Sequence, residues 1–496
     1  MTVSLDQFRA ALKVVWPDAG LPDLPPLPVS LDLVTDSRKV AEGSVFVAVP
    51  GSQGDGREYV EQALERGASL VLAHTRQAEL TLQGRVLSLP HLALRLGELG
   101  RSLYQVSDGL EVIAVTGTNG KSSVTHYIAA LSELLGTPAG VIGTLGVGRP
   151  GQLMDTGLTT PGPLALQATL GQLGRQGVQR VALEASSHAL DQHRLESVNV
   201  TVGVFTNLTR DHLDYHGSMA AYAAAKAKLF RRPELTLAVV NGDDPLARLM
   251  LAGCESHVRV LATGSDEAVT LRILDWHPLE AGQQALIATP EGEKALELPL
   301  LGRFNLDNVL LAISVLYGLG ESLDALFEAA AKLSPVPGRM TRFGGGEAPC
   351  VVVDYAHTPD ALQNALEALR DHLGNQGKLW CLFGCGGERD TGKRAEMAKV
   401  AERLADRVVV TDDNPRRESA AQIRQQILAG FHELQRVKEI GDRRQAILHA
   451  VAQAGPQDVV LVAGKGHEAY QEVEGVRHAY QDDEQVQQAI RARGGC

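Results

Sequence analysis

A chain of 496 residues is too long for one core and predicts about two to four domains. Its 44% hydrophobic and 21% charged residues are those of an ordinary globular protein, and a formal net charge of −12 excludes a general binder of nucleic acid or anionic membrane, which needs a basic footprint. No uninterrupted apolar run reaches the roughly 18–20 residues of a membrane span.

The N-terminal MTVSLDQFRAALKVVWPD lacks a basic flank, apolar stretch and cleavage site, so it is expected to be a short amphipathic helix rather than a leader. The first block, about 1–107, continues with short mixed strands, SVFVAVPG, SLVLAH and GRVLSLP, around an alanine- and leucine-rich helix near 58–66. The second, about 108–335, carries EVIAVTG, VALEAS, VGVFTN, LAVVNGDD and RVLATG, interleaved with helical segments, the pattern of a parallel α/β sheet. LRILDWHPL and QALIATPEGEKALELPL alternate and predict an antiparallel appendage near 269–300, before the helix NLDNVLLAISVLYGLG. SPVPGRM at 334–340 is a natural hinge. The third block, 336–496, repeats one theme in CVVVDYAHTPD, LWCLFGCGGERD, RVVVTDDNPRRE and DVVLVAGKGHE: a strand apolar enough for burial on both faces, ending in glycines and charges. Ligands of open α/β sheets sit beyond such strand ends. Five scattered cysteines (254, 350, 381, 385 and 496) argue against a disulfide framework, and Cys381 with Cys385 lacks the further ligands zinc needs. The cytoplasm is the expected compartment.

Strand, glycine turn and helix follow one another in VIAVTGTNGKSSV. The usual phosphate-loop spelling fails, because Val115 stands where its first glycine belongs. The arrangement still brings the backbone N–H groups of Gly117, Thr118, Asn119, Gly120 and Ser123 around a phosphate at a helix N-terminus. Lys121 can neutralise terminal phosphate charge and the Ser122 hydroxyl can ligate Mg²⁺. The bland alternative is a surface turn of small residues. Glu184 follows one apolar strand directly, and Asp211, His212, Asp214 and His216 follow another, groups that suit a Mg²⁺ site although each histidine alone fits a turn or cap equally well. The pattern indicates a Mg-nucleotide enzyme; a motor, transporter, switch or kinase uses the same loop.

Together the segments resemble the Mur ligases, which build the peptide of bacterial peptidoglycan. TGTNGKSS is similar to that family's short phosphate loop, and the likeness extends through TDSR at 35–38, TTP at 159–161, EASSHAL, TNLTRDHLDYHG, FNLDN, PGR at 337–339, DYAHTPD, DNPR and GKGHE. DHLDYHG, DNPR and GKGHE favour the branch that extends UDP-N-acetylmuramoyl-L-alanyl-D-glutamate by a third amino acid, over sibling ligases, folylpolyglutamate synthases and non-ligase P-loop ATPases. The resemblance implies an α/β protein of three domains: an N-terminal mixed α/β UDP-binding domain, a central P-loop-like parallel ATPase domain and a C-terminal Rossmann-like domain. It implies ATP as co-substrate, a pair of Mg²⁺ ions, an acyl-phosphate intermediate, a monomer, and no nucleic-acid or membrane partner.

By the same resemblance Ser122, Glu184 and His212 are magnesium-side ligands, with Lys121, Lys226 and His212 catalytic. Lys226 in AYAAAKAKLF matches a lysine carried as a carbamate formed with CO₂, which would hold the second ion; read locally it is a solvated helical lysine. Asn305, Asn308, Arg339 and Asp354 match ATP contacts, although the two asparagines would also serve as helix caps. Thr35, Ser37, Ser52, Gln53 and Gly54 match UDP contacts, and Thr159, Thr160, Ser186, Gln192 and Arg194 match contacts to the muramoyl-dipeptide. Arg389, Asp413, Asn414, Pro415, Arg416, Gly464 and Glu468 match the third-residue pocket. An arginine fork at 416 suits a second carboxylate, which favours meso-diaminopimelate; L-ornithine or L-lysine stays open, since Glu418 would also satisfy Arg416. Departures from the family pattern are Leu158 before TTP, Ala185 in EASSHAL, and serines at 122 and 123. ATP on the second block and the amine on the third must meet, so closure about 334–340 is expected.

Overall fold

A computed structural model of the chain describes residues 2–51, 54–374 and 377–494. Its strands form three main sheets and one short hairpin. In the first sheet, Ser30–Val34, Val45–Ala48, Leu70–Thr75 and Val86–Pro90 run parallel, and Thr2–Ser4 and Thr81–Gln83 close the edges antiparallel. The N-terminal helix is Leu5–Val15: Ser4 and Gln7 make a reciprocal capping box, and the apolar stripe Phe8, Leu12, Val15 faces the sheet core.

The central sheet has eleven strands. Ala139–Gly143, Arg180–Glu184, Glu111–Thr116, Val200–Phe205, Leu237–Asn241 and Arg259–Gly264 lie side by side and parallel. Alternate residues of one strand serve opposite faces: Ile113 and Val115 enter the core under helices Lys121–Leu134 and Arg303–Gly318, whereas Val112 and Ala114 enter the one on the other side. The expected appendage is a meander, Leu271–Leu279, Gly282–Thr289 and Gly292–Leu298, and it continues the same sheet, because Thr263 and Gly264 pair with Leu271 and Arg272. A hairpin, Gly146–Arg149 and Gln152–Met154, extends the opposite edge.

In the last sheet Cys350–Asp354, Val459–Ala463, Leu379–Phe383, Arg407–Val410 and Val437–Glu439 are parallel neighbours, with Thr341–Gly344 antiparallel at one edge. Cys381 and Cys385 are buried in its core, Cys385 Sγ lying 3.7 Å from Met397 Sδ, so both are packing residues. No helix among the described residues is long and apolar enough to cross a membrane.

Strand order decides what can meet. Glu111–Thr116 sits between Arg180–Glu184 and Val200–Phe205, with Glu184 opposite Val115 and Phe205 opposite Thr116. Parallel pairing therefore delivers three carboxyl ends to one edge.

Candidate active site

The turn Gly117–Gly120 is held by the end of the adjacent strand. The Thr118 N–H donates to Asn207 O (2.8 Å), the Asn119 N–H to Asn207 Oδ1 (2.9 Å), and Thr206 Oγ1 to Asn119 O (2.5 Å). Two glycines are demanded by close approach: a Cβ on Gly117 would lie 1.9 Å from Thr206 Oγ1, and one on Gly120, at φ +83°, 2.5 Å from Asn308 Oδ1. Helix Lys121–Leu134 begins at Gly120 without a side-chain cap, leaving its N-terminus to an anion.

Two lysines converge on one carbonyl. Lys121 Nζ donates to Gly117 O (2.9 Å) and Thr118 O (2.8 Å), and Lys226 Nζ donates to the same Gly117 O at 2.7 Å, lying 4.5 Å from the Tyr222 ring centroid. Burial lowers the pKa of both; Lys226, only 1% exposed, is driven well below the ordinary lysine value by desolvation and then by the charge of Lys121. Its local sequence reads as a solvated helix, and the structure corrects that: helix Met219–Ala227 turns Lys226 inward beside the loop.

Glu184 is buried, its Oε1 accepting from the Thr144 N–H (2.9 Å) and its Oε2 from Thr144 Oγ1 (3.0 Å). Thr144, Thr206 and Asn207 thus belong to the site; Thr206 and Asn207 lie in a quoted motif, whereas nothing in the sequence around Thr144 signals chemistry. His212 sits at φ +52°, half-exposed, edge-on to His188 (4.9 Å between centroids), and desolvation lowers its pKa, with Asp211 opposing. His216 turns to Ser187 Oγ (2.9 Å). Among the described residues no cluster of three or more His, Cys, Asp or Glu is placed to hold a metal. Ser122, Glu184, His212 and Lys226 all line the loop's cleft, where the Ser122 hydroxyl and Glu184 carboxylate are the oxygen donors that suit Mg²⁺ completed by phosphate oxygens and water.

That cleft, of about 470 Å³, is walled by residues 118–123 on one side and by Arg339, Asp354 and the 355–365 segment of the last sheet's domain on the other. Arg339 lies 4.6 Å over the Tyr355 ring, and its buried Nε has no hydrogen-bond partner among the described residues. Asp354 accepts N–H bonds from Met340 and Ala356 (both 2.9 Å), and burial raises its pKa, with Arg339 opposing. Asn308 lines the cleft, but Asn305 does not: its Nδ2 donates to Leu301 O (2.8 Å) and its Oδ1 accepts from Tyr127 Oη (3.0 Å), so its ATP assignment is corrected to a link between helices. Neither asparagine caps the helix, whose cap is Gly302.

Of the substrate-side residues, Thr159 and Ser186 line the same cleft. Thr160 is buried behind them and donates to Glu184 O (2.6 Å). Arg194 donates to Gln192 Oε1 (2.6 Å) and Thr160 O (2.7 Å), with no carboxylate paired to it among the described residues. Thr35, Ser37 and Gly54 belong to loops of the first sheet, where Ser37 starts a short turn whose carbonyl takes Arg66 Nη1 (3.1 Å). Ser52 and Gln53 lie outside the described residues.

The predicted third-residue pocket gathers at the carboxyl ends of Leu379–Phe383, Arg407–Val410 and Val459–Ala463. Asp413 is buried, and its Oδ2 would lie 2.5 Å from a Cβ on Gly464, which stands at φ +119°. Asn414 Nδ2 donates to Glu468 Oε2 (2.7 Å), and the fully buried Lys465, which sequence reasoning left within its motif without a role, donates to both (3.0 and 3.1 Å). Pro415 O accepts from the Glu418 N–H (3.0 Å), and Arg389 is exposed. Arg416 Nη1 donates to Gly387 O (2.7 Å) and has no carboxylate partner among the described residues. Glu418 pairs instead with Arg394 (2.9 Å), so it does not satisfy Arg416. These residues stand apart from the loop's cleft, joined to it where the Gly464 N–H donates to Asp354 O (3.1 Å).

A phosphate loop facing a second α/β domain across a cleft suits an enzyme that activates one substrate with ATP and passes it to another, as ATP-dependent amide ligases do. Three family descriptions match in chain order: Mur ligase family, catalytic domain, over residues 33–104; Mur ligase middle domain over 115–316; and Mur ligase, glutamate ligase domain, over 338–466. The chain belongs to the Mur ligase family. It is 49% identical over 465 residues to a UDP-N-acetylmuramoyl-L-alanyl-D-glutamate–2,6-diaminopimelate ligase of Pseudomonas aeruginosa, covering 93% of this chain and 95% of that one. It is 46% identical to the protein of the same name from Xanthomonas oryzae pv. oryzae, covering 97% and 98%. A solved structure of an enzyme with that name matches over 100% of both chains, with TM-score 0.71 and 38% identity. A Mycobacterium tuberculosis folylpolyglutamate synthase complexed with ADP shares the fold over 75% of this chain and 90% of its own (TM-score 0.60, 21% identity).

Proposed function

We propose that the chain ligates meso-diaminopimelate to the D-glutamyl carboxylate of UDP-N-acetylmuramoyl-L-alanyl-D-glutamate at the expense of ATP, as a cytoplasmic monomer in peptidoglycan precursor synthesis. The relatives' names support the reaction, since identity runs at 46–49% along nearly the whole chain. The observation that carries the choice of amino acid is Arg416, a half-buried guanidinium fixed on a backbone carbonyl and left without a carboxylate. Lysine or ornithine would leave it so; the second carboxylate of meso-diaminopimelate would pair with it.

A carboxylate is a poor electrophile. Its oxygen attacks the γ-phosphorus of ATP, ADP leaves, and the resulting acyl phosphate is captured by the amine, which loses a proton as phosphate departs. The chain's contribution is alignment and charge neutralisation. Lys121 and the N–H groups of residues 117–123 hold the phosphates, while Asn308, Arg339 and Asp354 orient the nucleotide. Thr159, Thr160, Ser186, Gln192 and Arg194 hold the muramoyl-dipeptide, and Thr35, Ser37, Ser52, Gln53 and Gly54 its uridine diphosphate. Arg389, Asp413, Asn414, Arg416, Gly464 and Glu468 hold the incoming amino acid. Ser122, Glu184 and His212 would hold Mg²⁺, which would supply charge neutralisation at the phosphates.

Lys226 is proposed to carry a carbamate. Carbamylation needs the neutral amine, and desolvation with Lys121 nearby favours that form. The resulting anion would stand beside the Lys121 ammonium, which shares Gly117 O with it. Carbon-13 NMR of the intact protein in labelled bicarbonate should show a carbamate signal that Lys226→Met lacks; no such signal at full activity overturns this part.

Mass spectrometry of product from the nucleotide-sugar dipeptide, ATP and a mixture of diamino acids tests the whole reading. A tripeptide containing meso-diaminopimelate is expected, and exclusive incorporation of lysine or ornithine overturns the substrate choice. ATP hydrolysis without any acceptor would point to a non-ligase ATPase.

A further inference from the structure

The glycine pair of GCGGERD is a meeting point for two arginines from different elements. Gly386 O accepts from Arg394 Nη2 (3.3 Å), and Gly387 O accepts from Arg416 Nη1 (2.7 Å). The Gly387 N–H donates to Asn414 O (2.9 Å) and the Glu388 N–H to the Glu418 carboxylate. Gly387 has no room for a side chain, since a Cβ there would lie 2.0 Å from Pro415 O, and one on Gly386 would lie 2.8 Å from Arg416 Nη1 and displace that guanidinium. Residues 386–388 are thus a fixed spacer between an inner and an outer guanidinium.

The two differ in counter-charge. Arg394, on helix Gly392–Leu404 and 1% exposed, donates to both oxygens of Glu418 (2.9 and 3.1 Å) and to Gln426 Oε1 (2.6 Å). A guanidinium so buried needs an opposite charge. Arg416, half-buried, has none among the described residues. Yet Glu418 lies only two positions beyond Arg416, folded back by its N–H bond to Pro415 O, and both side chains reach the same spacer. Glu468, a neighbouring acid, is held by Asn414 and Lys465. What keeps Glu418 from neutralising Arg416 is the pair of donors that already hold it.

We propose that Arg394 is a positioning residue for amino-acid specificity: by sequestering Glu418 it leaves Arg416 as an uncompensated receptor for a carboxylate at the far end of the incoming amino acid. The inference rests on the meso-diaminopimelate reading. The same arrangement disfavours a ligand with a bare ammonium at that end, since Glu418 is already engaged by Arg394 and the Arg416 guanidinium repels it.

Steady-state kinetics with meso-diaminopimelate and with L-lysine test this in wild type, Arg394→Met, Arg394→Lys, Glu418→Gln and the Arg394→Met/Glu418→Gln double variant. Arg394→Met frees Glu418 to pair with Arg416, so KM for meso-diaminopimelate rises about tenfold or more while kcat stays within about threefold, and relative turnover of lysine rises. Arg394→Lys keeps the counter-charge and stays near wild type. The double variant removes the competing acid and recovers KM to within about threefold of wild type. A double variant as impaired as Arg394→Met, or an unchanged KM in Arg394→Met, overturns the proposal and makes the pair a mere brace. Should Arg394→Met fail to fold by thermal melting, Glu418→Gln decides: near-normal KM supports sequestration, and a large rise overturns it. Wild type that does not turn over meso-diaminopimelate sinks the substrate reading itself, a separate result.

Discussion

Replacing Gly117 by alanine isolates the phosphate loop. The new Cβ would fall 1.9 Å from Thr206 Oγ1, with Asn207 N and O each 3.1 Å away, so neither the threonine nor the next peptide can step aside cheaply. Rotating Thr206 breaks its 2.5 Å bond to Asn119 O and leaves buried groups unpaired, about 1–3 kcal/mol. Overpacking adds about 1–3 kcal/mol. If half of that sum, about 2 kcal/mol at the midpoint, falls on the nucleotide-binding conformation, ATP affinity drops about 30-fold. Calorimetric titration with ATP measures it, and thermal melting controls for loss of fold. Adding Thr206→Ala removes the struck hydroxyl and should recover part of the affinity. Gly117→Ala binding ATP within about threefold of wild type would refute the packing argument.

Asn305→Ala should lower stability by about 1–3 kcal/mol, since Tyr127 Oη and Leu301 O lose their partner, and leave KM for ATP near wild type; Asn308→Ala should do the reverse, as denaturant melts and ATP titrations would read. Arg194→Met should raise KM for the nucleotide-sugar dipeptide about tenfold or more while ATP affinity holds, because the lost guanidinium bonds Gln192 and Thr160 O and no carboxylate among the described residues. His126 and His467 are each pushed down to about 4 from 6.5 by burial, with Arg339 next. The unfolded chain therefore binds more protons between those values, and stability falls as pH drops from about 6.5 to about 4. Melting temperature should decline less steeply across that window in His126→Gln/His467→Gln than in wild type.

What was legible in the sequence was whatever a local pattern dictates. EVIAVTG and DVVLVAG announce strands buried on both faces, and the glycine turn before Lys121 announces an anion site, because both signals lie within a few residues. The hairpin Gly146–Arg149 and Gln152–Met154 was not anticipated, since GVGRPGQLM lacks the alternation that marks a strand. Contacts set by strand order were hidden too: Thr144 reaches Glu184 across forty positions, and Asn207 holds Asn119 across eighty-eight. Asn305 was misassigned because a motif names a segment and not the direction each side chain takes; the first turn of helix Arg303–Gly318 turns it toward Tyr127. Lys226 shows the converse, a lysine in an alanine-rich helix whose burial only tertiary packing reveals.

The chain is acidic overall, yet Lys121, Lys226 and Arg339 line one cleft. The two facts are compatible because net charge acts through water and is screened over about 8–10 Å, whereas the cleft's charges act on one another through protein. Lys121 and Lys226 share Gly117 O; desolvation and then the charge of Lys121 lower the pKa of Lys226 against Asp211, and desolvation lowers that of Lys121 against Glu184 and Asp211. The cleft is poised to take negative charge, whether from a triphosphate or from a modified lysine, and either would lower the energy of a loop that already holds two buried amines. That poise comes from strand order: the end of Val200–Phe205 pins the loop, the end of Arg180–Glu184 sets the facing acid, and a helix turned inward supplies the second lysine.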